Sequence, residues 1–597
     1  MSFVIRIGGG AGQGMASAAD ILSKLVMEIG YHVYSSKDYA SQIRGGHNYH
    51  NIRCSKLPVF ADIDEIDFLL AFDQLTLKQH SDKITSKGTI ILDDKIPNEE
   101  IEILKSKNKN HLIVPLKEIE EKLGQKNIHN AIFLGVIVKN LGLDFTILEN
   151  TIKDYFTKKP KLAEKLILAA KEGFDFAKEI MKIPVFPKLL NKKFLNGNDA
   201  ICAGALKANL TFLAQYPMTP ASSILHTLAK EAITNENLMV IQPEDEIAAI
   251  NFALGASSVG RRAMTATSGG GFALMVESLG LSSMAEVPLV IVEGQRPGPA
   301  TGLPTKNGQG DLKFVLSAAP GDFPKVVIAP GNVEDCYTET KRAFYLAEKY
   351  QLPAIILTDK QICESFQTVD LQKIENDFVF EYDKRINIID KIDKRKNENS
   401  GDDNVDNNCL NQDGLYKRYA PGNLICPLVG TENGIFTFAG DEHDEVGYIT
   451  EDPKIAKVMN ERRMQKLELI RKELPIPKII GAENANLTVV SWGSNNGAII
   501  EAIEKINKEM NESNQVKVNF LPIKFMCPFH EKEIKLILEK CKNLMLVEAN
   551  YSGQLGSLIR EKTGTDIVDK FLRYDGTVFT VNDIYNKLKE ILTKKGL

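Results

Sequence analysis

The sequence predicts a multidomain α/β protein. Short apolar runs of strand length alternate with segments whose apolar residues recur at helical spacing, and this alternation returns in three separate stretches. The chain is 597 residues long, and at about 100–200 residues per domain that length asks for three to five cores. Strand–helix alternation favours parallel sheets with helices on both faces.

The first stretch covers residues 1–182. An apolar run at 3–8 ends in glycines, and a helical pattern follows through Ala18, Ile21, Leu22, Leu25 and Val26. Strand-like runs recur at 31–34, 68–72, 89–92 and 112–115, and helical segments at 131–141 and 162–180 close the unit. Residues 183–195 are rich in Pro and Lys without a clean period, so they are expected to be a linker. A second unit occupies 196–370. Its strands fall at 239–242, 263–267, 288–293, 325–329 and 353–358, and its helices at 200–213, 247–257, 272–284 and 333–349. Residues 371–485 form a connecting region. Within it, 394–414 is polar, charged and nearly free of apolar residues, so burial cannot offset its ordering entropy and a flexible insertion is expected. A third unit, 486–597, has strands at 487–491, 516–521 and 544–548.

Composition excludes several classes of function. Lys and Arg number 73 against 78 Asp and Glu, a net charge of −5, which is not the basic footprint of a nucleic-acid binder. No apolar run approaches the ~18–20 residues needed to cross a bilayer. The N-terminus enters a strand pattern directly, without a signal segment, so a cytoplasmic protein is expected. The eight cysteines, Cys54, Cys202, Cys336, Cys363, Cys409, Cys426, Cys527 and Cys541, include no C-x-x-C pair. Clusters and structural zinc need grouped thiolates. Scattered cysteines read instead as small buried apolar residues.

Five motifs could carry chemistry. The run GGGAGQG at 8–14 opens a helix, where backbone amides can approach an anion. It fits neither G-x-G-x-x-G in any register nor G-x-x-x-x-G-K-[ST]. TSGGG at 267–271 lies between a strand and a helix, at the sheet end where open α/β sheets bind ligands. YPMTPASS at 216–223 reads either as a rigid loop offering Thr219, Ser222 and Ser223, or as a Ser-capped helix after a turn. QPEDE at 242–246 places three acids at a helix start, where they could simply complement the helix dipole. EGQRPGPATG at 293–302 holds Arg296 in a stiff loop after a strand, which suits bidentate capture of a carboxylate.

Together these motifs resemble the pyruvate and 2-oxoacid:ferredoxin oxidoreductases. Residues 216–223 resemble the family's YPITPSS signature, 243–257 its acidic lead-in to an alanine-rich helix, and 265–271 and 294–312 its next two blocks. GDEHDEVG at 440–447 and EANYSGQL at 548–555 resemble later alpha-subunit blocks. Residues 1–54 resemble the gamma subunit, including RGGHNY at 44–49 and IRCS at 52–55, with Ala11 where the family commonly has Gly. The order looks like the fused gamma–alpha subunit of two-subunit members, often active on 2-oxoglutarate. The implied architecture is a gamma-type α/β domain, a pyrimidine-type thiamine-diphosphate-binding fold and a transketolase C-terminal-like domain.

The resemblance also implies site residues. Glu246, rather than Glu244, matches the acid that hydrogen-bonds the pyrimidine of thiamine diphosphate, which then serves as its own base. Thr219 matches a contact to substrate beside the cofactor, Arg296 the receptor for the 2-oxoacid carboxylate, and Thr301 a further substrate contact. His443 and Asp444 are expected to bear on side-chain selection. No GDG occurs in the sequence, and that motif with a later Asn-Asn holds diphosphate and magnesium in thiamine enzymes. The Mg2+ and [4Fe–4S] sites are therefore expected in a beta subunit, with coenzyme A as co-substrate and ferredoxin as electron acceptor. The competing reading is a non-catalytic nucleotide-binding regulatory protein that uses residues 8–14 as its phosphate loop. It leaves Thr219, Glu246 and Arg296 without a joint purpose.

Overall fold

The computed structural model describes residues 2–41, 46–378, 410–431, 433–511 and 516–596. Twenty strands form three sheets among these residues. In chain order, the first sheet takes β1 (Ser2–Gly9), β2 (His32–Asp38), β3 (Asn48–Ser55), β4 (Ile66–Ala71), β5 (Ile84–Asp93), β6 (Asn110–Val114) and β7 (Lys192–Leu195). The second takes β8 (Phe212–Ala214), β9 (Met239–Ile241), β10 (Ala263–Thr267), β11 (Leu289–Gln295), β12 (Val326–Ile328) and β13 (Pro353–Asp359). Next comes β14 (Phe366–Asp370), which returns to the first sheet. The third sheet takes β15 (Ile480–Gly481), β16 (Leu487–Ser491), β17 (Val518–Pro522), β19 (Leu544–Glu548) and β20 (Asp569–Leu572), while β18 (Phe525–Cys527) crosses to the second.

The first sheet, ordered β6-β5-β4-β1-β3-β2-β14-β7, is mixed rather than parallel. Its β1-β4-β5-β6 half is parallel, while β3 pairs antiparallel with both β1 and β2. Only nine residues separate β2 from β3, too few for the crossover that parallel strands require. The segment expected as a linker does not hang free. Phe186 N donates to Ile29 O, Tyr31 Oη donates to Pro184 O at 3.0 Å, and Lys192–Leu195 becomes β7. Its partner β14, read as the end of the second unit, pairs with β2 and β7. Of the expected flexible insertion, residues 394–409 lie outside the described residues, as do Arg44 and Gly45.

The second sheet, β18-β12-β13-β11-β10-β8-β9, is parallel except for β18. Its central strands β10, β11 and β13 are buried throughout, as strands covered on both faces must be. One face packs on the helices at 197–207 and 333–350. The other packs on the helices at 246–258 and 269–284 and on Trp492, Leu521 and Leu546 of the third unit. The loop that follows β11 reaches the third unit, where Gln309 N donates to Ala549 O. The seven described cysteines are all free, five of them buried. Among the described residues no helix is long and apolar enough to cross a membrane.

Candidate functional site

The three acids after β9 take different places. Asp245 is the N-cap of the helix Glu246–Ser258, its side chain accepting from Ala248 N at 2.8 Å. Glu244 is exposed, so the helix-end carboxylate is Asp245 and not Glu244. Glu246 turns inward, 3% exposed, and its Oε1 has no hydrogen-bond partner among the described residues. The helix start is already satisfied by Asp245, so this carboxyl is not needed there.

β10 delivers the next helix, Gly269–Met284, against that carboxyl. A Cβ on Gly271 would collide with Thr267 Oγ1 and lie 2.6 Å from Glu246 Oε1, which explains a glycine at this place. The N-cap residue Ser268 is fully buried, but its hydroxyl makes no capping bond and has no partner among the described residues. Orphaned buried polar atoms are rare in folded proteins. Here Glu246 Oε1 and Ser268 Oγ bracket the glycine turn of one helix.

β11 brings Arg296 to the Tyr216–Ser223 loop. Arg296 Nη1 donates to Thr219 O at 3.0 Å, so these two expected site residues meet. Asn198 Nδ2 fixes the loop by donating to Pro220 O and Ser223 Oγ, each at 2.8 Å. The Ser-capped reading fails, because the N-cap of the helix Ser222–Glu231 is Ala221. Gly294 lets β11 approach the loop closely: a Cβ there would sit 2.9 Å from Pro220 Cγ. Thr301 is exposed, on a turn closed by Leu303 N donating to Pro297 O. The structure joins Thr219 to Arg296 but makes no bond from Thr301 to either among the described residues.

Two buried residues of this site escaped the sequence reading. Glu293 is 0% exposed; burial, and then the neighbouring Asp311, push its carboxyl well above the ordinary range. Its signal was an acid closing the uninterrupted apolar run Leu289, Val290, Ile291, Val292. Gln309 fastens the loop after Arg296 to the third unit. Its Nε2 donates to Asp359 Oδ2 at 3.0 Å and Trp492 O at 3.2 Å, and its Oε1 accepts from Asn495 Nδ2 and Ala549 N. A lone Gln in a Gly-rich loop gives no such signal.

His443 is buried, with Nδ1 on Asp441 O at 2.9 Å and its ring 4.2 Å from that of Tyr419; burial lowers its pKa. Asp444 is spent locally, accepting from Val446 N and Tyr448 N at 3.0 Å each. In the glycine run, Gln13 Oε1 accepts from Gly10 N at 2.9 Å, so the chain itself takes one of the amides there.

Comparison with known proteins now bears on this geometry. The family described as pyruvate ferredoxin/flavodoxin oxidoreductase matches residues 4–176. The one described as pyruvate flavodoxin/ferredoxin oxidoreductase, thiamine-diphosphate-binding, matches residues 203–397. The 2-oxoacid:ferredoxin oxidoreductase subunit alpha of Sulfolobus sp is 31% identical over 641 residues, 98% of this chain and 96% of that one. This chain belongs to the 2-oxoacid:ferredoxin oxidoreductase alpha subunits. The 2-oxoglutarate synthase subunit KorA of Methanothermobacter marburgensis, at 30% identity, aligns over 98% of its own length but 66% of this oxidoreductase subunit. The solved 2-oxoglutarate:ferredoxin oxidoreductase of Magnetococcus marinus, with 2-oxoglutarate, coenzyme A and succinyl-CoA bound, superimposes with a TM-score of 0.84 at 27% identity. That match covers 99% of each chain. The multidomain α/β architecture of this subunit is that of an oxidoreductase throughout its length.

Proposed function

We propose that this oxidoreductase subunit binds and aims 2-oxoglutarate in a thiamine-diphosphate-dependent oxidative decarboxylation that yields succinyl-CoA, carbon dioxide and reduced ferredoxin. The observation that carries this reading is Glu246: a buried carboxyl with an unpartnered oxygen, at a helix start already capped by Asp245. The cradle fits thiamine diphosphate, since Glu246 offers a carboxyl that can share a proton with a pyrimidine ring nitrogen and the Gly269–Gly271 turn leaves room for close approach. When bound, that cofactor supplies the nucleophilic carbon that attacks the ketone.

The chain's own residues do the rest. Glu246 holds a proton in the hydrogen bond to the ring nitrogen, favouring the tautomer that acts as base. Arg296, anchored on Thr219 O, presents its remaining N–H groups to the substrate carboxylate and so aims the ketone. Thr219, whose carbonyl anchors that arginine, is read as a substrate contact beside the cofactor, and Thr301, on the exposed turn, as a further substrate contact.

The site is half of one. The two helices that start at Glu246 and Gly269 expose Ile247, Phe252, Leu274 and Leu281, between 41% and 50% exposed, an apolar face of the kind that marks a protein interface. We assign it to a beta subunit that holds the diphosphate, Mg2+ and the [4Fe–4S] cluster, because the sequence has no GDG and no clustered cysteines. Coenzyme A is the co-substrate, and free, scattered cysteines suit work in the cytoplasm. The preference for 2-oxoglutarate over pyruvate or branched-chain 2-oxoacids draws on the names and bound ligands of the Methanothermobacter and Magnetococcus proteins. The test is 2-oxoacid-dependent reduction of a viologen dye by this chain with and without its co-purified partner, over a panel of 2-oxoacids. Activity of the chain alone, or kcat/KM highest for pyruvate, would overturn the corresponding part.

A further inference from the structure

Gly271 leaves a notch that two oxygens share. A Cβ there would lie 2.1 Å from Thr267 Oγ1, 2.6 Å from Glu246 Oε1 and 2.8 Å from Glu246 Cγ. Both oxygens crowd one point at the first turn of the helix Gly269–Met284, yet Glu246 Oε1 receives no hydrogen bond among the described residues. Thr267 Oγ1, for its part, is a donor without a good acceptor. Its two contacts are Met218 Sδ at 3.9 Å and Ser268 O at 3.5 Å. Sulfur accepts weakly, and an ordinary O–H···O bond spans about 2.5–3.0 Å. Thr267 is 0% exposed at the end of β10, where bulk water does not reach it. A methyl group in place of that hydroxyl would fill the same space without the cost of a poorly bonded buried polar group.

We propose that Thr267 is a positioning residue for Glu246: its hydroxyl donates to Oε1 and so leaves Oε2 for the proton shared with the pyrimidine nitrogen. The proposal rests on the reading of Glu246 given above. A turn of the carboxyl brings donor and acceptor together, and the helix start makes no claim on Glu246, because Asp245 already caps it. Once Oε1 is held, the plane of the carboxyl is fixed, and a hydrogen bond to a charged or charge-sharing oxygen is among the stronger ones. The same threonine touches Met218, the neighbour of Thr219, whose carbonyl carries Arg296. One side chain thus packs on both the notch of the acid and the loop that aims the substrate.

The test uses the assembled complex and two substitutions that part packing from hydrogen bonding. Thr267→Val keeps the shape and loses the hydroxyl, whereas Thr267→Ser keeps the hydroxyl and loses a methyl. The Val variant should bind thiamine diphosphate about tenfold more weakly, the loss of one hydrogen bond to a charged group. Its turnover should fall by a similar factor with KM for 2-oxoglutarate unchanged. Circular dichroism of the loaded complex without oxoacid should show less of the tautomer that acts as base. The Ser variant should stay within about threefold of wild type on every readout. The reverse ranking, with Val like wild type and Ser impaired, assigns Thr267 to packing and overturns the proposal. If the Val variant does not assemble, Thr267→Ala carries the same comparison, since it too lacks the hydroxyl. Thr265→Val removes another buried, unpartnered hydroxyl from the same face of β10 and should leave cofactor binding unchanged; an equal loss there would make the effect general to the strand and overturn the proposal. Thr267→Val combined with Glu246→Gln should be no worse than Glu246→Gln alone, and additive losses would show that Thr267 does not act through Glu246. The reading of Glu246 fails separately: Glu246→Gln with unaltered turnover and tautomer signal removes the acid itself, whatever the threonine does.

Discussion

A buried glutamate stands near each end of β11, one before the strand and one within it, and the two are opposites. Glu286, just before the strand, is 0% exposed and gathers Arg462 and Lys466 on its two oxygens, the Lys466 contact at 2.7 Å, while Arg418 Nη2 donates to its backbone carbonyl at 2.6 Å. Burial alone would raise its carboxyl, yet Lys466, Arg462 and Arg418 hold it down to about 2. Glu293, seven residues on, is equally buried, has no cation on it, and is pushed well upward. The saturated glutamate pins the connecting region, through the helix Pro453–Glu473, to the amino end of the sheet. The unsaturated one sits at the carboxyl end, beside Glu246 and Arg296. At the two ends of one strand, full satisfaction marks structure, and polar capacity left open marks the place for a ligand.

The sharpest way to break the comparison is the same substitution at both ends. Glu286→Gln leaves Arg462 and Lys466 buried without their counter-charge and should cost about 3–5 kcal/mol of stability. Denaturant unfolding of the full chain would show it. Glu293→Gln removes no ion pair and should not lower the midpoint. Equal losses would erase the distinction. The signs of pH dependence differ too. Glu286 has a folded pKa below the ordinary carboxylate value, so its contribution is complete above about 4.5 and is lost as pH falls through that value toward 2. Glu293 has a raised pKa, so it disfavours folding increasingly as pH rises through its folded value.

Next in size is Glu246→Gln, which should cut turnover of the assembled complex on the order of 10²-fold while leaving the fold intact. Exposed Glu244→Gln should change little. A reversal of that ranking would place the catalytic acid outside the buried pocket. Arg296→Lys should lose at least ~1.5 kcal/mol in kcat/KM for every 2-oxoacid alike, because one ammonium cannot reproduce the guanidinium fork. A loss confined to one acid would assign Arg296 to side-chain selection instead. The smallest effect belongs to the cap. Asp245→Ala should cost ~1 kcal/mol of stability, the worth of an N-cap, with turnover reduced far less than in Glu246→Gln. Iron analysis of the isolated chain sharpens the assignment of the cluster: about four irons per chain, the content of a [4Fe–4S] cluster, would move it out of the beta subunit.

The strands at 263–267, 487–491 and 544–548 stand where the sequence places them, because strands covered on both faces read as short, largely apolar runs. β3 was missed, since NYHNIRCS buries Asn51 and Arg53 and breaks any simple alternation. Asn51 is made tolerable by Arg6 and Asp62, and Arg53 by Glu501, a partner 448 residues away. β8 was absorbed into the preceding helix, because three apolar residues carry no period of their own.

By itself the sequence determined the strand–helix alternation, the multidomain α/β class and, through motif resemblance, the set Thr219, Glu246 and Arg296. Each rests on residue type and spacing within a few turns of chain. Only the tertiary structure decided that Asp245, and not Glu244, caps the helix from which Glu246 turns inward, since that depends on the phase at which a helix meets its neighbour. It also decided that Arg296 rests on Thr219 O, 77 residues away, that Gln309 ties their loop to the third unit, and that the glutamates at the two ends of β11 live in opposite electrostatic surroundings. Burial and pairing are properties of the partners, and the partners come from distant parts of the chain.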